Sequence, residues 1–463
     1  MTDFATMLQP DRGQAATIIR LVEPDGFDPW LRGQSERTRT SVAAQQLKPK
    51  AGRHAIIAGD SPADWFVIAV VGSIAKLSPW CLAGLAAALP PGRYRLDGAQ
   101  VGAATLGWLA AQHGFTRYKH TDDAAEPRVL LTDQPQHLAM ALHEAIAVAT
   151  VRDLVDTPAA DMGPADLDRI THDLAKSHQA VCATIKGDAL ETGYPMISAV
   201  GRAAPRDRAP RLIDLHWGDQ RHPRITIVGK GVTFDSGGLN IKPTSGMALM
   251  KKDMGGAAHA IALAGLIMAA GLPVRLHLLI AAVENSISGE AMRPGDVLTS
   301  RAGTTVEIDN TDAEGRLILA DALSRAVEDG PELIVDFATL TGAARVALGP
   351  DLPALFSNDD TLAQQILDAG TDRDDPVWRL PLWDGYDDML KSDIADLTNA
   401  PAGGFAGSIT AALFLRRFVP PSVRWAHLDT FAWRPAAKPG RPKGGAALGL
   451  LAVWTMLDRQ YRR

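Results

Sequence analysis

Cysteine is nearly absent from this chain: Cys81 and Cys182 are the only two in 463 residues. Two thiols so far apart make neither a disulfide framework nor a thiolate metal cage, which fits a reducing compartment. Charge of one sign is also lacking. The formal net charge is −6, which gives no global pull toward nucleic acid or an anionic membrane. No long unbroken apolar run occurs. The longest tract, Ala257 to Val283, is interrupted by Gly271-Leu272-Pro273 and by Arg275, so it reads as helix, turn and buried strand rather than a membrane span. The start, Met1-Thr2-Asp3-Phe4-Ala5-Thr6, has no basic or apolar leader region, and a cytoplasmic location is the expectation. Internal repeats and low-complexity segments are missing too. What remains is 46% hydrophobic and 22% charged residues, an ordinary globular composition with length enough for two domains.

Alternation of β runs with helical patterns sets the fold expectation. In the first part, Trp65 to Val71 and Val129 to Leu131 read as strands, with helical stretches at Pro79–Ala88 and Gly102–His113. Arg32 to Arg53 carries Arg37, Arg39, Lys48 and Lys50 against only Glu36; this mild excess reads as a solvated surface segment rather than a nucleic-acid arm. A long helix from Gln136 to Val155 is stopped by Pro158. Beyond it, strands at Ile225–Val228, Leu276–Val283, Thr304–Ile308 and Leu333–Phe337 alternate with helices at Ala258–Ala270 and 313–329. The expected architecture is α/β: a smaller N-terminal α/β domain (1–134), a connecting helix (135–155) and a larger domain (156–463). The larger domain should hold a mixed, mostly parallel sheet flanked by helices on both faces.

Four carboxylates fall beside glycines at the strand-to-helix junctions of that alternation. Asp312 and Glu314 lie in Asn310-Thr311-Asp312-Ala313-Glu314-Gly315-Arg316-Leu317, where a β run turns into a helix. Asp312 is placed near the N-cap and Glu314 in the first turn, where the dipole favours negative charge. An acidic cap explains Asp312 alone, but Arg316 in the same turn opposes the dipole and calls for another reason. Asp235 follows the Ile225–Val228 strand in Gly229-Lys230-Gly231-Val232-Thr233-Phe234-Asp235-Ser236-Gly237-Gly238, and Asp253 stands before a helix. Neither a complete G-x-G-x-x-G nor a Walker loop is present. Asp235-Ser236-Gly237 has the form of an aspartic-protease triplet, but a second one is missing. If Asp235, Asp253, Asp312 and Glu314 converge, repulsion requires cations among them. A pair of divalent metals roughly 3.5–4 Å apart answers that need and serves metal-assisted hydrolysis. Ligation dominated by oxygen, without Cys or His, suits Mn, Mg or Zn-like ions.

The 229–238 and 310–317 strings resemble the two hallmark motifs of the leucyl (cytosol) aminopeptidase family. Arg152-Asp153-Leu154, Met250 to Ala258, Asp336 to Ala343 and Trp425-Ala426-His427-Leu428-Asp429 add to the likeness, which spans roughly the last 310 residues, a size suited to a large catalytic domain. The resemblance implies a dinuclear metallo-aminopeptidase that removes a leucine-like N-terminal residue from peptides with a free N-terminus. It implies that Asp235 and Glu314 bridge two divalent metals (Mn or Zn, with Mg or Co as alternatives). Asp312 would complete the more exchangeable site, and Lys230 with Asp253 the tighter one. A ligating Lys230 has to be neutral. Lys242 would polarise the scissile carbonyl, and Arg316 would hold a bicarbonate as general base. Met250, Thr339, Leu340 and Gly342 match substrate-pocket positions, with core packing the other reading for Met250 and Leu340. A homohexamer is also implied. His259, on an apolar helix, reads as a core residue, and neither it nor His427 is assigned a metal. Lys251-Lys252 adds positive charge near Asp253, and Phe431 to Lys443 leaves the pocket rim open. The alternative from another class is a DNA-binding or non-catalytic scaffold, which the net charge does not support.

Overall fold

The computed structural model describes residues 2–61, 64–119, 126–401 and 403–462. Two compact units emerge: 1–149 with 436–443, and 150–435 with 444–463. The boundary falls within the Leu138–Asp156 helix.

The first unit is built on a six-stranded sheet. Its strands are β1 (Leu8–Pro10), β2 (Thr17–Val22), β3 (His54–Ala58), β4 (Trp65–Val70), β5 (Gly92–Leu96) and β6 (Arg128–Thr132), in the order β1-β6-β5-β2-β4-β3. Only β3 runs antiparallel to its neighbour. β4 is apolar at every position because both its faces are covered. Val67 and Ala69 join a core with Leu82, Leu85 and Trp108, whereas Ile68 and Val70 join one with Phe27 and Val42. Within the basic segment, the Glu36–Ala44 helix has Arg37 paired with Asp60.

The second unit carries an eight-stranded sheet of β7 (Val181–Lys186), β8 (Arg211–Trp217), β9 (Arg224–Asp235), β10 (Arg275–Asn285), β13 (Leu333–Ala338), β14 (Ala354–Ser357), β15 (Trp378–Arg379) and β17 (Arg424–Asp429). The order is β15-β14-β17-β13-β9-β10-β8-β7. Four neighbouring pairs are parallel and three antiparallel, so the sheet is mixed and mostly parallel. Strand parity in β9 shows why helices occupy both faces. Val228 and Val232 pack into a core with Leu317, Leu319 and Leu323 of the Glu314–Glu328 helix. Gly229 points the other way, where a Cβ would lie 2.7 Å from Ala257 Cα in the Gly255–Ala269 helix.

Two strand expectations change. The Ile225–Val228 strand does not end before the glycines; it continues to Asp235, held by parallel pairing with β10 along Gly229↔Ile280 to Val283↔Val232. The Thr304–Ile308 run is shorter, β12 (Thr305–Glu307), and lies outside the main sheet. It forms a three-stranded sheet with β11 (Val297–Thr299) and β16 (Leu397–Thr398). That small sheet sets the entry to the Glu314–Glu328 helix.

Candidate metal centre

β9 delivers two of the candidate side chains. Lys230 projects to the face that carries the Glu314–Glu328 helix, and Asp235 ends the strand. The Asp235 carboxylate accepts from Gly237 N at 2.9 Å and from Asn285 Nδ2 at 2.8 Å. Asn285, at the end of β10, also donates to Thr311 O at 3.1 Å, while its own carbonyl accepts from Ser236 Oγ at 2.7 Å. One amide thus fixes both carboxylate-bearing loops. Gly237 and Gly238 turn with φ of +88° and +64°, conformations that favour glycine. Here the chain is stitched to Thr311, whose hydroxyl donates to Gly237 O at 2.6 Å and accepts from Asn240 N at 2.8 Å.

Asp253 sits in the 3-10 turn Met250–Met254. It accepts from Thr339 Oγ1 at 2.8 Å and pairs with Lys230, whose ammonium also donates to Thr339 O at 3.2 Å. Lys230 lies 3.1 Å from Glu314. Lys242 bridges the other pair, 2.7 Å from Asp235 and 2.5 Å from Asp312. The expected cap is displaced by one residue: Ala313 occupies the N-cap without a side-chain bond, and the Asp312 carboxylate is drawn to Lys242 instead.

These side chains surround one cavity of about 260 Å³, also lined by Met250, Thr339, Leu340 and Gly342. Every candidate lines it except Arg316. Arg316 is buried and donates from Nη1 to Asn399 O at 2.6 Å, while its Nε has no hydrogen-bond partner among the described residues. Asn399 in turn accepts from Asp309 N at 2.9 Å and donates to Asn310 O at 2.7 Å. Reading the sequence did not single out Asn285, Asn399 or Arg345; Asp429 entered it as the end of the Trp425–Asp429 likeness and Phe431 as the start of the segment that left the pocket rim open, and Arg345, Asp429 and Phe431 all line the cavity. Asp429 accepts from Leu340 N at 2.9 Å and Thr341 Oγ1 at 2.6 Å, shaping that wall. His259 is a core residue with both ring nitrogens bonded, to Gly255 and Leu448. His427 is buried against Asp336.

The electrostatics show a shortage of positive charge. Burial, and then the Asp235 charge, raise the pKa values of both Glu314 and Asp312. Burial also works against ionised Asp253, but Lys230 and Lys252 outweigh it and hold that carboxyl below its usual range. Burial opposes the charges on Lys230 and Lys242 as well; the surrounding carboxylates win and raise both. Lys252, farther from the acids, is lowered by burial to about 8. Arg316 is lowered by burial to about 10. A divalent cation fits this environment. Asp235, Asp312 and Glu314 each offer an oxygen within 4.8 Å of the others, and cations there would supply what Glu314 and Asp312 lack. Positive charge in place of protons would also reverse the field that now keeps Lys230 protonated, freeing its amine as a donor.

Comparison with known proteins finds relatives for both units of the chain. Residues 149–453 match the family model described as cytosol aminopeptidase family, catalytic domain, and residues 17–131 the one described as M17 aminopeptidase, N-terminal domain. A probable cytosol aminopeptidase of Chlorobium limicola is 45% identical over 58% of this chain and 53% of its own length. One from Syntrophotalea carbinolica is 42% identical over 69% of this chain and 65% of its own. The matched span is thus just over half to about two thirds of these relatives. Among solved structures, the cytosol aminopeptidase from Coxiella burnetii is 46% identical with a TM-score of 0.92, covering 98% of this chain and 99% of that one. The bottromycin maturation enzyme BotP in complex with Mn is 32% identical with a TM-score of 0.86, covering 96% and 100%.

Proposed function

Since this chain belongs to the cytosol aminopeptidase family, we propose that it is a metallo-aminopeptidase. It would release the N-terminal residue of peptides from a centre made by Lys230, Asp235, Asp253, Asp312 and Glu314. The observation that carries this reading is the ring of four carboxylates round one cavity, with Lys230 and Lys242 between them and Lys252 3.8 Å from Asp253. Asp235 and Glu314 would bridge two divalent ions, Asp312 completing one site and Lys230 with Asp253 the other. Mn or Zn is the expected ion, with Mg or Co able to substitute; BotP, a solved neighbour, is described in complex with Mn. The chemistry supplied by such ions when bound is polarisation of a carbonyl and a nucleophilic water at neutral pH.

The chain's own residues do the rest. Lys242, which bridges Asp235 and Asp312 at the cavity, would donate to the scissile carbonyl oxygen and stabilise the negative charge growing there. Arg316 would hold a bicarbonate as general base, supported by its buried Nε without a partner. A free α-amino group ligating the centre would limit cleavage to the first bond. Met250, Thr339, Leu340 and Gly342 would receive the first side chain, and a leucine-like residue fits the apolar part of that wall. A homohexamer is the proposed assembly, supported by the exposure of Val346 (81%) and Phe405 (84%), large apolar side chains that association would cover. No helix among the described residues is long and apolar enough to cross a membrane, and a cytoplasmic place with peptide rather than nucleic-acid partners is proposed. Leucine anilide and its N-acetyl derivative test the reading together. Only the free amine should be turned over, and equal turnover of both would contradict it.

A further inference from the structure

A second cluster of ligand-type side chains lies at the other end of the large sheet. Asp214 and His216 are in β8 and His277 is near the start of β10, whereas Asn285 ends β10 beside the carboxylate centre. At about 3.3 Å per residue, His277 is roughly 26 Å from that end. The antiparallel register pairs His277 with His216 and Leu279 with Asp214, so period-two alternation puts all three side chains on one face. The imidazoles stack with centroids 4.2 Å apart, and both direct Nε2 at the same oxygen. His216 lies 2.8 Å and His277 3.0 Å from Asp214 Oδ1. All three ligand atoms lie within 4.8 Å of one another, and tetrahedral coordination at about 2.0–2.2 Å would need them only about 3.3–3.6 Å apart, a small outward shift from these contacts.

The surroundings distinguish a ligand set from a plain hydrogen-bonded triad. His277 is 1% exposed, and its Nδ1 faces Asp329 Oδ2 at 3.4 Å. A carboxylate on the remote ring nitrogen is the usual support of a metal-ligating histidine. In the tautomer that places the proton on Nδ1, a buried nitrogen with no hydrogen-bond partner among the described residues, Nε2 presents a lone pair to the Asp214 oxygen, and two acceptors that close would need a cation between them. Arg325 approaches the other oxygen, Oδ2 of Asp214, at 3.6 Å and Asp329 at 3.2 Å, leaving Oδ1 to the imidazoles. The His216 side chain is 39% exposed, which keeps one side open for water ligands.

We propose that Asp214, His216 and His277 form a separate site for Zn²⁺ or a similar borderline divalent ion, clipping β8 to β10. Two imidazoles and a carboxylate suit such ions better than Mg²⁺ or Ca²⁺. The test is equilibrium dialysis of the full chain against Zn²⁺, with metal content measured for wild type, His216→Ala and His216→Cys. His216→Ala should bind one ion fewer per chain, His216→Cys should keep the wild-type content, and leucine anilide turnover should be unchanged in both. Equal metal content in wild type and His216→Ala would overturn the site and leave a hydrogen-bonded triad. A double variant, Asp235→Asn with Glu314→Gln, should still carry the ion that His216→Ala removes. The outcome therefore reads separately from the proposed aminopeptidase centre.

Discussion

Lys230 and Lys242 each stand between two carboxylates, and the roles proposed for them differ. Lys230 is boxed in by Asp253, Glu314 and the Thr339 carbonyl, which suits a ligand. Lys242 is less enclosed and bridges Asp235 and Asp312, which suits a group that changes partners during turnover. Lys242→Ala should lower kcat by about 10²–10³, the usual cost of losing one such donor, with metal content retained. Arg316→Ala should likewise reduce turnover without metal loss; release of metal from either variant would make that residue structural. His259 illustrates a different constraint. Leu448 N donates to its Nε2 at 3.0 Å, so the proton must sit on Nδ1 toward Gly255 O, and a second proton breaks the first bond. Burial lowers its pKa from 6.5 to about 4. A depressed histidine contributes stability above its unfolded pKa, lost as pH falls from 6.5 toward 4. The stability advantage of wild type over His259→Gln should shrink by about 3 kcal/mol across that window. Chemical denaturation of both proteins at pH 7 and pH 4 checks this, and a pH-independent difference would count against it.

At the scale of elements, the junction between β9 and the Glu314–Glu328 helix is what brings the motifs together. Gly315, in the first turn, leaves no room for a methyl: a Cβ there would run into Lys230 Cε. Gly315→Ala should push the lysine from its pocket, costing about 1–3 kcal/mol of stability and one of the two proposed ions. Thermal unfolding and metal analysis measure both, and unchanged metal content would show that Lys230 is not a ligand. Much of this arrangement was legible in sequence where apolar spacing is strong. The helix expected at 313–329 is Glu314–Glu328, and the strand expected at Leu276–Val283 lies inside β10. The extension of β9 through Gly229–Asp235 was not, because glycines carry no β signal and pairing with β10 supplies the order. Asn285 and Asn399 were hidden for a related reason. An asparagine has no periodicity, and these two act on backbone and side chains 50 and 90 residues away. Arg316 was conspicuous for opposing the helix dipole, but its bond to Asn399 O emerges only from the fold.

Over the whole molecule, a net charge of −6 gives no hint that four acids are buried or half-buried around one cavity. The second unit tolerates them through Lys230, Lys242 and Lys252, and cations would complete the balance. Ions bound only by the folded chain stabilise it, so their removal should lower the melting temperature as well as activity. The central claim, that this cavity is a metal-dependent aminopeptidase centre, is tested most directly by leucine anilide turnover before and after chelation. The account predicts that the metal-free protein is inactive and that Mn²⁺ or Zn²⁺ restores turnover. Full activity in protein shown by elemental analysis to hold no metal would contradict it.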